Sequence, residues 1–167
     1  SNFSKFPKVE RYIEVQRLIR IRDSLLVNMY FTRKTKRHNI FVIVEHDKDK
    51  TAQVYHHRWN IFDNVPIVNK PEVAFLMRKV ANSDPSRLIK LKEIFDRHQK
   101  LIVFYNFDFE LEILRQFAEE NEIPYSEWNG HKHETILSDL PSWLYLCQYI
   151  SASEAWNAIE TNAVVFY

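Results

Sequence analysis

The run Leu101-Ile102-Val103-Phe104-Tyr105-Asn106-Phe107-Asp108 decides how the chain reads. It opens as an uninterrupted apolar stretch, short and rich in β-branched and aromatic residues. That pattern describes a strand covered on both faces, the kind found in parallel sheets. Upstream, Ser83-Asp84-Pro85-Ser86 is a helix-start signal with Pro in the first turn. The helix it opens carries Leu88, Leu91, Ile94 and Phe95 on one face. Downstream, Asp108 suits a helix N-cap, and Leu111, Leu114 and Phe117 share one side of the helix that follows. Strands are expected at 125–128, 143–149 and 163–167, with a short helix at 153–160. Alternating helices and continuous apolar strands give an α/β fold: a parallel sheet with helices on both faces and right-handed crossovers. Ligands of such sheets meet the loops beyond the carboxyl ends of the strands, here 106–109, 129–135 and 151–157.

The first part of the chain reads as a smaller α+β segment. A helix is expected over 12–26, a buried strand over 39–45, and a helix capped by Asp47 and running to Trp59. Residues 60–70, with Asp63-Asn64-Val65-Pro66, form the softest boundary, so the organisation reads as 1–70 and 71–167. A further helix is expected over 72–81.

Composition narrows the chemistry. There is one glycine in 167 residues, Gly130, whereas about 7% is usual. A P-loop or a dinucleotide fingerprint needs at least two, so neither is present. One cysteine, Cys147, excludes an internal disulfide and a cysteine-based zinc site. No apolar run is long enough to span a membrane, and no secretory signal is visible. Residues 1–40 hold ten basic and three acidic side chains, a net of +7, which leaves −6 for the rest of a chain whose total is +1. Such an arm suits a polyanion or is simply a solvated basic face.

Three places are candidates for function. At the end of the first strand of the sheet, Asn106 suits a phosphate or a ribose hydroxyl. In Glu127-Trp128-Asn129-Gly130-His131-Lys132-His133 the glycine marks a turn expected to need positive φ. His131 and His133 are weak metal candidates and read better as loop histidines. In Ser151-Ala152-Ser153-Glu154-Ala155-Trp156-Asn157, hydroxyls precede a helix N-terminus, where anions are favoured and where Ser153 is also a cap. Trp156 suits base stacking or the core. There is no Gly-x-Ser-x-Gly elbow, and Glu110 and Glu112 face different directions on a helix.

Taken together, Leu101–Leu111, Glu127-Trp128-Asn129-Gly130-His131, the apolar stretch Trp143-Leu144-Tyr145-Leu146-Cys147-Gln148-Tyr149, Glu154-Ala155-Trp156-Asn157 and Val164-Val165-Phe166-Tyr167 resemble the second RecA-like domain of a phage-encoded subgroup of superfamily 2 DNA helicases. The likeness extends upstream through 76–87, and 17–28 is similar to the segment that joins the two motor domains. It implies a three-layer RecA-like domain. Tyr105, Asn106 and Phe107 would correspond to motif IV, near nucleic acid. Residues 148–157 would correspond to motif V, with Ser151, Ser153 and Trp156 touching nucleic acid and Gln148, Glu154 and Asn157 coupling it to the ATP site. The basic Arg33, Lys34, Lys36 and Arg37 would add contacts. The resemblance implies DNA, or RNA, as partner and a first RecA-like domain in cis or in trans. It implies MgATP in the complete motor but no cofactor in this chain, and a cytoplasmic location in an infected host. Two motif V positions that usually hold glycine are Ala152 and Ala155, and the sequence ends before the segment that carries the arginine finger. ATP hydrolysis by the chain alone is therefore not expected. The alternative is a non-catalytic, helicase-like protein that binds a replication or host-defence partner. An incomplete sheet is expected to leave an open edge prone to self-association.

Overall fold

The computed structural model describes residues 14–25, 36, 38–152, 161 and 163–167. The chain divides into two compact units, Ser1–Ile40 and Phe41–Tyr167. In the first, α1 spans Val15–Leu25 and buries none of its residues. It presents Val15, Leu18, Ile21 and Leu25 as exposed apolar side chains.

The second unit begins with an irregular stretch. Residues 39–45, expected as a buried strand, form no regular structure, and Phe41 is 93% exposed. β-branched residues favour a strand only when a neighbour completes the backbone hydrogen bonds, and no described strand pairs with this one. Helix α2, Lys48–Tyr55, starts where expected: Asp47 accepts from the amide of Lys50 at 2.9 Å. It stops short of Trp59. Arg58 takes a φ of 53°, and Trp59 instead pairs with Pro66 in a ribbon of β1 (Trp59–Asn60) and β2 (Val65–Pro66). Helix α3, Lys70–Asn82, is capped by Asn69, which accepts from Glu72. Helix α4, Pro85–His98, is capped by Asp84 and ended by Gln99 in the left-handed region at φ 61°.

The sheet contains β3 (Lys100–Tyr105), β4 (Tyr125–Trp128), β5 (Trp143–Gln148) and β6 (Val164–Phe166) in the order β4-β5-β3-β6. Every pairing is parallel, with Leu101 opposite Leu144 and Val103 opposite Leu146. Helix α5, Asp108–Glu120, connects β3 to β4. Alternation sorts the central strands. Leu101, Val103, Tyr105, Leu144 and Leu146 pack with Leu91 and Phe95 of α4 and with Leu111, Leu114 and Phe117 of α5. Each fully buried leucine here stabilises the fold by about 1.5–3 kcal/mol. Ile102, Trp143, Tyr145 and Cys147 form the opposite face.

The described residues cover the two faces differently. Among the described residues α4 and α5 pack on one face, while Ile136, Leu137 and Ala152 from loops pack on the other. The connection from β4 to β5 has no helix. The expected helix at 153–160 lies outside the described residues. The architecture is thus mixed α/β with an all-parallel four-stranded sheet, compatible with a RecA-like fold. Among the described residues, no helix is long and apolar enough to cross a membrane.

Candidate nucleic-acid interface

Strands β3 and β5 end side by side, with Tyr105 opposite Gln148. The loops that leave them are joined by hydrogen bonds. Tyr149 donates its amide to the carbonyl of Tyr105 at 2.9 Å. Gln148 Nε2 reaches the carbonyl of Asn106 at 3.5 Å. Ser151 Oγ donates to Gln148 Oε1 at 3.1 Å, and Trp128 Nε1 donates to the carbonyl of Ser151 at 3.1 Å. Asn106, Gln148 and Ser151 are therefore brought together, and Phe107 follows Asn106 in the same loop. Tyr105 is buried against the α5 face, where burial pushes its hydroxyl up to about 12. It shapes the loop rather than offering surface. Lys36 is exposed in the first unit. Arg33, Lys34, Arg37, Ser153, Glu154, Trp156 and Asn157 lie outside the described residues.

The residue that holds the first loop is Glu110, fully buried at the third position of α5. Its Oε2 accepts the amides of Asn106 at 2.7 Å and Phe107 at 3.2 Å. Its Oε1 accepts from Arg78 Nε at 2.8 Å and Asn82 Nδ2 at 2.5 Å. Asp108, expected as the N-cap, is instead the first helical residue and Phe107 occupies the cap position. A phenylalanine cannot accept a hydrogen bond, so Glu110 reaches back to supply the acceptor. Burial alone would raise the Glu110 carboxyl. Arg78, the two amides and Asn82 outweigh it and hold the group below the usual carboxylate range. With its carboxamide oxygen turned to Arg78, Asn106 accepts from the two terminal guanidinium nitrogens at 3.1 and 3.3 Å. Because Glu110 occupies the loop amides, the groups left at this end of the sheet are side chains: the Asn106 amide, the Gln148 amide, the Ser151 hydroxyl and the Phe107 ring.

A second buried carboxylate fixes the loop after β4. Glu127 is fully buried and receives Arg115 bidentately, Nε to Oε1 and Nη2 to Oε2, both at 2.7 Å. Asn129 Nδ2 adds a third bond at 3.1 Å. Burial again works to raise Glu127, and Arg115, with Lys132 and Asn129, overcomes it and holds the carboxyl low. Sequence reasoning missed Arg78, Asn82, Glu110 and Arg115. Only Glu110 left a local signal, an acidic residue three positions into a helix.

The turn at Gly130 also differs from expectation, since Gly130 does not take positive φ. The turn is made by Asn129, whose Oδ1 accepts the amides of His131 and Lys132, each at 2.9 Å. A β-carbon on Gly130 would meet nothing within 4 Å. Gly130→Ala is therefore expected to shift stability by no more than about 0.5 kcal/mol. Asn129→Ala is expected to lose about 1–3 kcal/mol, since it strips acceptors and a buried partner of Glu127. Urea midpoints of the two variants check this.

His131 is exposed, and His133 stacks on Trp128 with ring centroids 4.5 Å apart. Among the described residues no group of three or more His, Cys, Asp or Glu side chains is placed to hold a metal. Cys147 is buried in the sheet, and burial pushes its thiol up to about 12. A thiol so shielded is a packing residue and not a nucleophile. No protein-family model matches the chain, and no curated protein matches it.

Proposed function

We propose that this chain supplies the nucleic-acid contacts of a superfamily 2 helicase or translocase, as the second RecA-like domain of the motor, and does not hydrolyse ATP by itself. The observation that carries the reading is the junction of two loops at the carboxyl ends of adjacent parallel strands. Asn106 and Phe107 from β3 lie beside Gln148 and Ser151 from β5, linked through the Gln148 side chain. A strand of nucleic acid tracking across that end would meet an amide pair, a hydroxyl and an aromatic ring. The basic Arg33, Lys34, Lys36 and Arg37 would add attraction for phosphate. The lack of a P-loop supports the absence of independent turnover.

A titration of the purified chain with single-stranded DNA at two salt concentrations tests the reading. Asn106→Ala with Gln148→Ala is expected to weaken binding at both. Alanine at the four basic positions is expected to weaken it and to flatten the salt dependence, by roughly 0.7 in log–log slope for each phosphate contact removed. No binding at low salt would overturn the proposal, and so would ATP hydrolysis by the chain alone.

One observation favours the second reading, a non-catalytic interaction protein. Beyond β6 no described strand continues the sheet, and Val164 and Phe166 are exposed there. An open edge of this kind accepts a strand from another chain. Concentration-dependent sizing tests it, and a monomer at every concentration would exclude self-pairing.

A further inference from the structure

Phenylalanine is among the residues most often buried, yet several lie together at the surface of the second unit. Phe62, Phe75 and Phe107 are 37–39% exposed. Phe75 stands nearly perpendicular to Phe107 and Phe109 at centroid distances of 5.2 and 5.7 Å, and Phe107 and Phe109 are nearly parallel at 5.8 Å. Two cations rim the rings. Lys79 Nζ stands 4.3 Å from the Phe62 centroid and 5.9 Å from that of Phe109. The Arg78 guanidinium lies 5.0 Å from the centroid of Phe107. The four rings and two cations therefore form one continuous stripe across the β1-β2 ribbon, α3 and the start of α5. Among the described residues no carboxylate lies within ion-pair distance of Lys79, whereas Arg78 is paired with the buried Glu110 at 2.8 Å.

We infer that this stripe is a stacking platform for single-stranded nucleic acid, with Phe62, Phe75 and Phe107 taking bases and Lys79 a phosphate. The inference rests on the nucleic-acid reading above and names the form of the substrate. Three features favour this occupant. Rings that stack bases do so without regard to sequence, because every base has a π-face. Lys79 puts a cation without a carboxylate partner on the rim, which complements a phosphate chain. The stripe also runs into the Asn106–Phe107 loop, so one strand can cross both. A duplex keeps its bases stacked on one another and offers no free face to such rings.

The test compares two probes on the full chain by fluorescence anisotropy: a short oligothymidine, and an abasic deoxyribose-phosphate chain of equal length. Leucine variants keep the apolar bulk, and thermal melts confirm that they fold. Wild type is expected to prefer the oligothymidine by about tenfold. Phe75→Leu and Phe62→Leu are expected to shrink that preference while leaving abasic affinity unchanged. Lys79→Gln is expected to weaken both probes alike and to lower the salt slope by roughly 0.7. Equal affinity of wild type for both probes would overturn the inference, as would folded leucine variants that keep the full preference. If binding responds to Asn106 and Gln148 but not to the rings, only the platform falls. If wild type binds neither probe, the broader reading falls with it. A dimer that dissociates in Phe75→Leu, with no oligonucleotide bound, would assign the stripe to a second copy of the chain and overturn the inference.

Discussion

Replacing Arg115 by alanine is expected to destabilise the protein by about 3–5 kcal/mol, a large share of the stability a domain ordinarily has. The guanidinium makes both strong bonds to Glu127, and Glu127 is fully buried. Without it the carboxylate keeps Asn129 at 3.1 Å and Lys132 only at 3.6 Å. Neither replaces a bidentate partner, so an uncompensated charge stays in the interior. Arg115→Lys is expected to recover little, because one ammonium cannot reproduce the fork. Glu127→Gln in the Arg115→Ala background is expected to restore part of the loss, since it removes the orphaned charge. Urea midpoints of the single and double variants measure the coupling, and simple additivity would show that the pair does not interact as described.

The second large effect is expected at Glu110. Glu110→Gln replaces an acceptor-only group that receives four hydrogen bonds with one that turns an amide toward donors. The expected loss is about 3 kcal/mol, toward the lower end for a buried pair because Arg78 is partly exposed and rehydrates. The loop at Asn106 and Phe107 should loosen with it, so oligonucleotide affinity is expected to fall along with stability. The same carboxyl governs acid behaviour. Glu110 and Glu127 both titrate lower in the folded state than in the unfolded chain. Their contribution is therefore complete above the unfolded glutamate range, near about pH 4.3, and is lost as pH falls through the folded values. Unfolding free energy is expected to drop steeply in that acid window and to change little on their account at higher pH. In Glu110→Gln the acid limb should be shallower, and a limb of unchanged slope would contradict the assignment.

Some of this architecture was legible because its causes are local. The stretch Leu101–Tyr105 reads as a doubly covered strand from its own composition, and the structure buries Leu101, Val103 and Tyr105 on one face and Ile102 on the other. The Asp47 cap and the helix start at 83–86 read correctly because such signals act on amides two or three residues away. The segment 39–45 misled for the complementary reason. Its β-branched residues announce a preference for extended backbone, but a strand exists only with a partner. The turn at 129–133 misled in a similar way: the lone glycine drew the eye, while the hydrogen bonds came from Asn129 beside it. Of the residues singled out at the candidate interface, Asn106, Gln148 and Ser151 do meet. The aromatic stripe and the arginine partners of the two buried carboxylates were invisible.

The amino-acid order by itself determined where most of the helices begin, which strands are apolar on both faces, and that no phosphate-cradling glycine loop exists. Those properties depend on residues within a few positions of one another. Only the tertiary structure decided that Arg78 meets Glu110 from 32 residues away, that Arg115 meets Glu127 from 12 away, and that Phe62 shares a surface with Phe107. Charge compensation and ring contact are relations between distant side chains, and nothing in local spacing encodes which distant side chains the folded backbone will bring within a few ångströms.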